Sequence, residues 1–313
     1  MEKRKLIILS GPTASGKTGL SISLAKRING EIISADSCQV YRGMDIGTAK
    51  VTKEEMQGVR HHLIDVISPF EDWSVQLFKE RAEQAVREIE ERGRIPILAG
   101  GTGFYIQALL YDVDFTKESG DKALREELEK IAREEGPGLL HYRLQQIDPA
   151  AAESIHANNV KRVVRAIEFY EHTGRRISEH NEQERQKASP YNYAYFVIDM
   201  DRKILYDRIE ERIDKMMAEG LLQEVETLRS GGLGRGHTSM QALGYKEFFP
   251  YFDGEYDLQE AVRILKRDTR HFAKRQITWF KRERDICWLK WAGEEEMLQE
   301  ILKNIKARGI YED

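Results

Sequence analysis

At 313 residues, with 41% apolar and 33% charged side chains and a net charge of −4, the chain can bury a sizeable core and still be very soluble. Its two cysteines, Cys38 and Cys287, exclude a disulfide framework or a cysteine-built zinc site within one chain. No apolar run approaches membrane-spanning length, so a reducing, cytoplasmic setting without a membrane partner is expected.

The opening basic residues before Leu6-Ile-Ile-Leu9 superficially resemble a signal peptide, but that apolar run is too short for one. Lys5–Leu9 instead suits a buried parallel strand. It leads into Gly11-Pro12-Thr13-Ala14-Ser15-Gly16-Lys17-Thr18, which fits the phosphate-cradling pattern G-x-x-x-x-G-K-[ST]. Leu20, Leu24 and Ile28 then recur at helical spacing, so strand, loop and helix come in the required order. Gly11 and Gly16 let backbone N–H groups turn onto an anion, the helix terminus adds its dipole, and Lys17 adds a full charge. Thr18 is placed to reach a Mg²⁺ that bridges phosphate oxygens. The loop binds a di- or triphosphate; whether that is an ATP-type nucleotide it does not say.

A second strand is expected over Glu31–Asp36 and a third over His62–Ile67, closed by a turn at Ser68-Pro69. Ser74 caps a predicted helix to Arg92, with Leu77, Phe78, Ala82, Ala85 and Ile89 on one face and Gly93 beyond its end. Arg94–Ala99 reads as another buried strand, followed by Gly100-Gly101-Thr102-Gly103 and a helix from Phe104 to Leu110. This alternation implies an α/β fold: a P-loop NTPase-like core whose mostly parallel sheet is flanked by helices. From 116 to 190 the chain is densely charged and helical, broken at Gly136-Pro137-Gly138 and Asp148-Pro149. We therefore expect a catalytic core of residues 1–115 and 191–313 with a helical insertion at 116–190. Ala194–Asp199 returns to the sheet, helices follow from Arg202 to Leu228, and after the glycine-rich 231–236 stretch the rest is expected to be helical.

Two features point to chemistry. Ligands of open α/β sheets sit beyond the carboxyl ends of the strands, so Asp36 should share a crevice with Lys17, either as a general base or as a cap on the next turn. The strand ending at Ala99 runs into glycines and lacks the aspartate with which nucleoside triphosphatases hold Mg²⁺, which weakens an ATPase reading. Gly100, Gly101 and Gly103 suit either a close approach to substrate or a tight turn. Charge is segregated as well: 266–270 with 274–284 carries eight basic residues against Asp268 and Glu283, interleaved with His271, Trp279 and Phe280. A second basic cluster starts at Lys161-Arg162-Val163-Val164-Arg165. Each is a solvated face or a nucleic-acid surface, and two of them on a phosphate-binding scaffold favour the latter.

These segments together resemble the bacterial tRNA dimethylallyltransferases, also called tRNA isopentenyltransferases. The resemblance rests on the phosphate loop, Ile32-Ile33-Ser34-Ala35-Asp36-Ser37 through Gly47-Thr48-Ala49-Lys50, Gly100–Tyr105, Lys161–Glu168, Ala242–Glu247 and Ala273–Phe280, and spans nearly the whole chain. Cys38 departs from the usual pattern, so its side chain is given no chemistry. The resemblance implies transfer of a dimethylallyl group from dimethylallyl diphosphate to N6 of the adenine 3′ of the anticodon, in tRNAs reading codons that begin with U. It implies Asp36 as general base, Lys17 and the loop on the leaving diphosphate with Mg²⁺, Thr102 near the reacting amine, and Arg212 as a further diphosphate contact. On the residues alone, Arg212 reads as a helix-surface arginine in a salt bridge.

The anticodon stem-loop is implied to meet Asp36, Ser37, Cys38, Gln39, Thr102, Arg125, Lys161, Arg162, Val163, Val164 and Arg165. It is implied to meet also Met240, Gln241, Ala242, Leu243, Gly244, Tyr245, Lys274, Arg275, Gln276, Trp279 and Lys281. A monomer is expected. Competing readings are a P-loop small-molecule kinase, marked by ATP consumption without RNA, a prenyltransferase acting on free adenine nucleotides, and a non-catalytic RNA-binding regulator.

Overall fold

The protein is described here by a computed structural model covering residues 3–115 and 122–312. Two compact units emerge, Met1–Leu110 with Pro190–Asp313, and Tyr111–Ser189. Residues 116–121, with which the expected insertion opens, lie outside the described residues.

The first unit is built on a sheet of six parallel strands: β1 (Arg4–Ser10), β2 (Gly30–Ser34), β3 (His61–His62), β4 (Ile95–Gly100), β5 (Tyr191–Asp199) and β6 (Ile286–Lys290). They lie in the order β3-β2-β4-β1-β5-β6. β1 is central, and Leu6–Leu9 are fully buried, as an apolar run flanked by strands on both sides requires. The helices of the first part are α1 (Lys17–Arg27), α2 (Lys53–Met56), α3 (Val75–Glu91) and α4 (Gly103–Leu110). Leu20, Leu24 and Ile28 from α1 and its end pack with Ile7, Leu9, Ile97 and Phe196 in one apolar core.

The second unit holds α5 (Lys122–Glu134), α6 (Pro137–Ile147), α7 (Pro149–Ser154), α8 (Val160–Thr173) and α9 (Ile177–Gln186), with no strand among its described residues. Proline opens α6 and α7, where its missing N–H costs nothing. Asp148 caps α7 at Ala151 and also accepts from the Ser178 N–H and hydroxyl, tying α7 to α9. Leu128, Leu144, Val163, Val164 and Ile167 form its core. The chain then adds α10 (Arg202–Ala218), α11 (Leu221–Ser230), α12 (Phe249–Phe252), α13 (Leu258–Phe280) and α14 (Glu294–Ala307) to the first unit.

Several expectations need correction. β2 ends at Ser34, so Asp36 stands two residues beyond the strand. The third strand shrinks to two residues because Leu63 (φ 62°) and Asp65 (φ 55°) adopt left-handed backbone, leaving only a bridge between Tyr41 and Ile67. Ser74 does cap α3, accepting from the Leu77 N–H at 3.2 Å, but the Leu77 side chain is exposed. The C-terminal region is not wholly helical: Ile286–Lys290 adds β6 beside β5 at the sheet edge.

The glycines after β4 are explained by the protein's own packing. A Cβ on Gly100 would lie 2.3 Å from the Ala35 carbonyl oxygen, one on Gly101 2.3 Å from Gln276 Nε2, and one on Gly103 2.2 Å from Trp279 Cδ1. Their small size admits β2's exit and α13, not a substrate. Backbone cannot give way as a flexible side chain can, so Gly100→Ala is expected to lower stability by about 2 kcal/mol or more. Urea unfolding should show a lower midpoint with an unchanged slope.

Candidate active site

The phosphate loop runs from the end of β1 into α1, with Ala14 (φ 63°) and Gly16 (φ 88°) in the left-handed region. A non-glycine residue there stores about 1–3 kcal/mol of strain. Gln276 of α13 braces the loop: its Oε1 accepts from the Thr13 N–H at 2.9 Å, and its Nε2 donates to the Gly101 carbonyl at 2.9 Å. One buried carboxamide thus joins the phosphate loop to the turn after β4.

Lys17 opens α1 and donates from Nζ to the Pro12 carbonyl at 3.3 Å. Its pKa is lowered to about 8, chiefly by burial and next by the nearby Arg212 guanidinium, with Asp36 opposing them. Arg212, on α10, is likewise pushed down by burial and held up by Asp36 and Glu55. Two cations therefore crowd the loop with too little negative charge between them, the electrostatic condition of a site awaiting a polyanion.

Asp36 caps its turn with one carboxylate oxygen only. Its Oδ1 accepts the Cys38 N–H at 2.9 Å and the Gln39 N–H at 3.3 Å, capping the turn. Oδ2 has no hydrogen-bond partner among the described residues, so the turn aims one free lone-pair oxygen outward. Asp36 lines two spaces. One is a cleft of about 40 Å³ shared with Lys17, Thr18, Gln39 and His61. The other is a cavity of about 440 Å³, within the range of small-ligand sites. Thr13, Thr102, Arg212 and Gln276 line the larger cavity's polar part, and Tyr41, Trp73, Tyr105, Met216 and Phe272 its apolar part. Burial, with Asp36 nearby, pushes the Cys38 thiol up to about 12, so it stays protonated and is no nucleophile. Burial also raises Tyr41 to about 12 and Tyr105 above its ordinary value.

The other expected residues divide by where their side chains go. Ser37 and Cys38 wall the cavity, whereas Gln39 is spent internally, donating to the Thr48 and Ala49 carbonyls and accepting from Ser34. Gly11, Pro12 and Ser15 are buried in the loop, and Thr18 lies exposed on its rim. Gln241, Ala242, Leu243 and Gly244 line the cavity, but Met240 and Tyr245 are fully buried and cannot touch an external ligand. Lys274, Arg275 and Lys281 are exposed on or just past α13, and Arg275 reaches the cavity. Gln276 is buried, and Trp279 packs on Gly103, so both serve the fold first. In the second unit Lys161, Arg162 and Arg165 are exposed on α8, while Val163 and Val164 belong to its core. Arg125 forms a two-pronged pair with Glu168.

Sequence reasoning missed Glu224. From α11 it accepts the N–H groups of Asp45, Ile46 and Gly47 at 2.9, 2.8 and 3.1 Å, and the Tyr245 hydroxyl at 2.6 Å. It pins the loop that carries Gly47 and Thr48 to the cavity wall, and nothing in an amphipathic helix marks such a glutamate. Phe272 was also missed, although Leu265, Thr269, Phe272 and Gln276 line the cavity at helical spacing.

A family model described as IPP transferase matches residues 39–283. The chain is 56% identical to the tRNA dimethylallyltransferase of Lachnoclostridium phytofermentans over 97% of its own length and 98% of the relative's. It is 50% identical to that of Carboxydothermus hydrogenoformans over 98% of each. Among solved structures it is similar to the tRNA isopentenylpyrophosphate transferase of Bacillus halodurans, with TM-score 0.75, 45% identity, and 98% and 97% of the two chains covered. A eukaryotic dimethylallyltransferase acting on tRNA matches with TM-score 0.81 at 29% identity, covering 98% of this chain and 80% of that one.

The lowered Lys17 pKa sets a pH dependence. Lys17 is charged below about 8 and loses its proton above, so calorimetric binding of inorganic diphosphate should weaken through pH 8–9. Lys17→Met should bind weakly at all pH and show no inflection there.

Proposed function

The chain belongs to the IPP transferase family of prenyl-transferring enzymes, and we propose that it moves a dimethylallyl group from dimethylallyl diphosphate to the exocyclic N6 of an adenine in tRNA. The acceptor in this reading is the adenine 3′ of the anticodon, in tRNAs whose codons begin with U. The observation that carries the reading is Asp36, with an unengaged Oδ2, lining both the cleft it shares with Lys17 and Thr18 and the larger cavity it shares with Arg212 and Thr102. About 440 Å³ suits a flipped purine beside a five-carbon chain.

In the transfer, the bond between the allylic carbon and the diphosphate oxygen breaks, with the electron pair leaving on the diphosphate. The bond from N6 to that carbon forms. An adenine amine is a weak nucleophile because its lone pair is shared with the ring, so Asp36 orients it and takes its proton on Oδ2 as the C–N bond develops. Lys17, Arg212 and the loop N–H groups stabilise the charge growing on the departing diphosphate. Thr102, in the same cavity, is placed to hold the amine. The apolar wall of Tyr41, Trp73, Tyr105 and Phe272 shields the allylic cation-like carbon from water.

Among the described residues, no group of three or more His, Cys, Asp or Glu could hold a metal. A Mg²⁺ would therefore be held by the diphosphate, the Thr18 hydroxyl and water, the manner in which this ion commonly rides on phosphates. When bound, it supplies further neutralisation of the leaving group.

Anticodon-loop bases splay out at a cost of only a few kcal/mol. Lys274, Arg275 and Lys281 on the core, with Lys161, Arg162 and Arg165 on the second unit, offer exposed charge for the RNA backbone. A cytoplasmic site of action accords with a tRNA substrate.

With labelled dimethylallyl diphosphate, Mg²⁺ and unmodified tRNA, Asp36→Asn is expected to lose about 10²–10⁴-fold in transfer rate while still binding tRNA, because the amide preserves the turn. Label on free AMP instead of tRNA would overturn the assignment. The affinity for tRNA should fall steeply and linearly with the logarithm of salt concentration; a flat dependence would rule out the backbone contacts.

A further inference from the structure

Outside the machinery described so far, one arginine is held beside the phosphate loop without a charge partner. Arg208 lies on α10 one turn before Arg212, so both side chains leave the same helix face. Its guanidinium sits over the Trp291 ring, 4.7 Å from the centroid, and donates to Met200 Sδ at 4.0 Å. No carboxylate among the described residues pairs with it. Neighbouring cations facing α10 are paired, Lys266 with Asp214 and Arg270 with Glu210. At the start of α14, Glu294 accepts from the Ser23 hydroxyl of α1.

The position is set by Gly16. A Cβ there would lie 3.2 Å from the Trp291 ring and 3.7 Å from Arg208 Nη2, so the indole edge and the guanidinium both abut the first turn of α1. A cation placed against the positive end of a helix dipole is unfavourable unless an anion joins them. Arg208 stands by Gly16 and is not part of the cavity lining, whereas Arg212 lines the cavity together with Asp36.

The geometry points to Arg208 as a second guanidinium for the diphosphate, taking the terminal phosphate at the outer rim, with Trp291 as the positioning residue that holds its planar fork by cation–π stacking. This rests on the prenyl-transfer reading, because the donor's hydrocarbon end must enter the cavity by Asp36 and its far phosphate must then face outward. Arg212 and Lys17 act at the bond that breaks; Arg208 acts on binding and release of the whole diphosphate.

The experiment compares wild type, Arg208→Gln, Arg208→Lys and Trp291→Ala in steady-state transfer to tRNA, with inhibition by inorganic diphosphate and by monophosphate. In Arg208→Gln, KM for dimethylallyl diphosphate and the inhibition constant for diphosphate should both rise about tenfold, with kcat changed less than threefold and monophosphate inhibition unchanged. Arg208→Lys should recover part of that loss, and Trp291→Ala should reproduce a weaker form of it. Equal thermal midpoints for wild type and variants exclude misfolding as the cause, and a lowered midpoint is bypassed by reading the ratio of diphosphate to monophosphate inhibition. An unchanged donor KM and diphosphate inhibition in Arg208→Gln overturns the assignment, as does a rise confined to the KM for tRNA, which makes Arg208 an RNA contact. Absence of transfer by the wild type overturns the underlying reading instead.

Discussion

Everything at the candidate site follows from crowded charge: Lys17 and Arg212 are half-buried close together, and Asp36 is the carboxylate that acts on both. Burying a cation without full compensation is unfavourable, and an anion bound beside the loop, the helix N-terminus and both side chains would relieve it. The depression of Lys17 by burial and by Arg212 makes the loop a poor place for further positive charge and a favourable one for an anion. Asp36 attenuates this repulsion through space while its Oδ1 is tied to the backbone, so it remains oriented without being consumed in a salt bridge.

The loops around that charge are held by a few side chains that reach across the fold. Gln276 joins the phosphate loop to the turn after β4, and Glu224 gathers three successive N–H groups of the 45–47 loop. Both are buried or half-buried polar groups with their hydrogen bonds satisfied, an arrangement that rigidifies a site because any other geometry leaves donors unpaired. The glycines at 100, 101 and 103 are the complement of this bracing: they are small so that Ala35, Gln276 and Trp279 can come close. α13 is thus two-faced. Leu265, Phe272 and Gln276 look into the cavity, and Lys274 with Arg275 keeps the basic character exposed.

Much of this was legible in the residues, for identifiable reasons. Lys5–Leu9, the phosphate loop and the spacing of Leu20, Leu24 and Ile28 carry strong local signals, and the observed β1, loop and α1 follow them. Asp36 was placed by a rule of sheet topology, which survives the shortening of its strand. The errors share a cause: local pattern does not report what packs from far away. His62–Ile67 has the composition of a strand, yet left-handed backbone at Leu63 and Asp65 breaks it to meet the Tyr41 loop. Met240 and Tyr245 belong to a segment singled out for RNA contact, but tertiary burial takes their side chains away.

By itself the sequence determined that a strand, a glycine loop and a helix would follow one another, that parallel strands and helices would alternate, and that basic charge would gather in two segments. These depend on short-range periodicity, backbone permissiveness and net local charge, all of which are written within a dozen residues. Only the tertiary structure decided that Arg212 stands against Lys17, that Gln276 bolts two loops together, that Glu224 holds a third, and that Arg208 rests on Trp291 beside Gly16. Those pairings join residues tens to hundreds of positions apart, and their partners are chosen by strand order and helix packing, which no local pattern encodes.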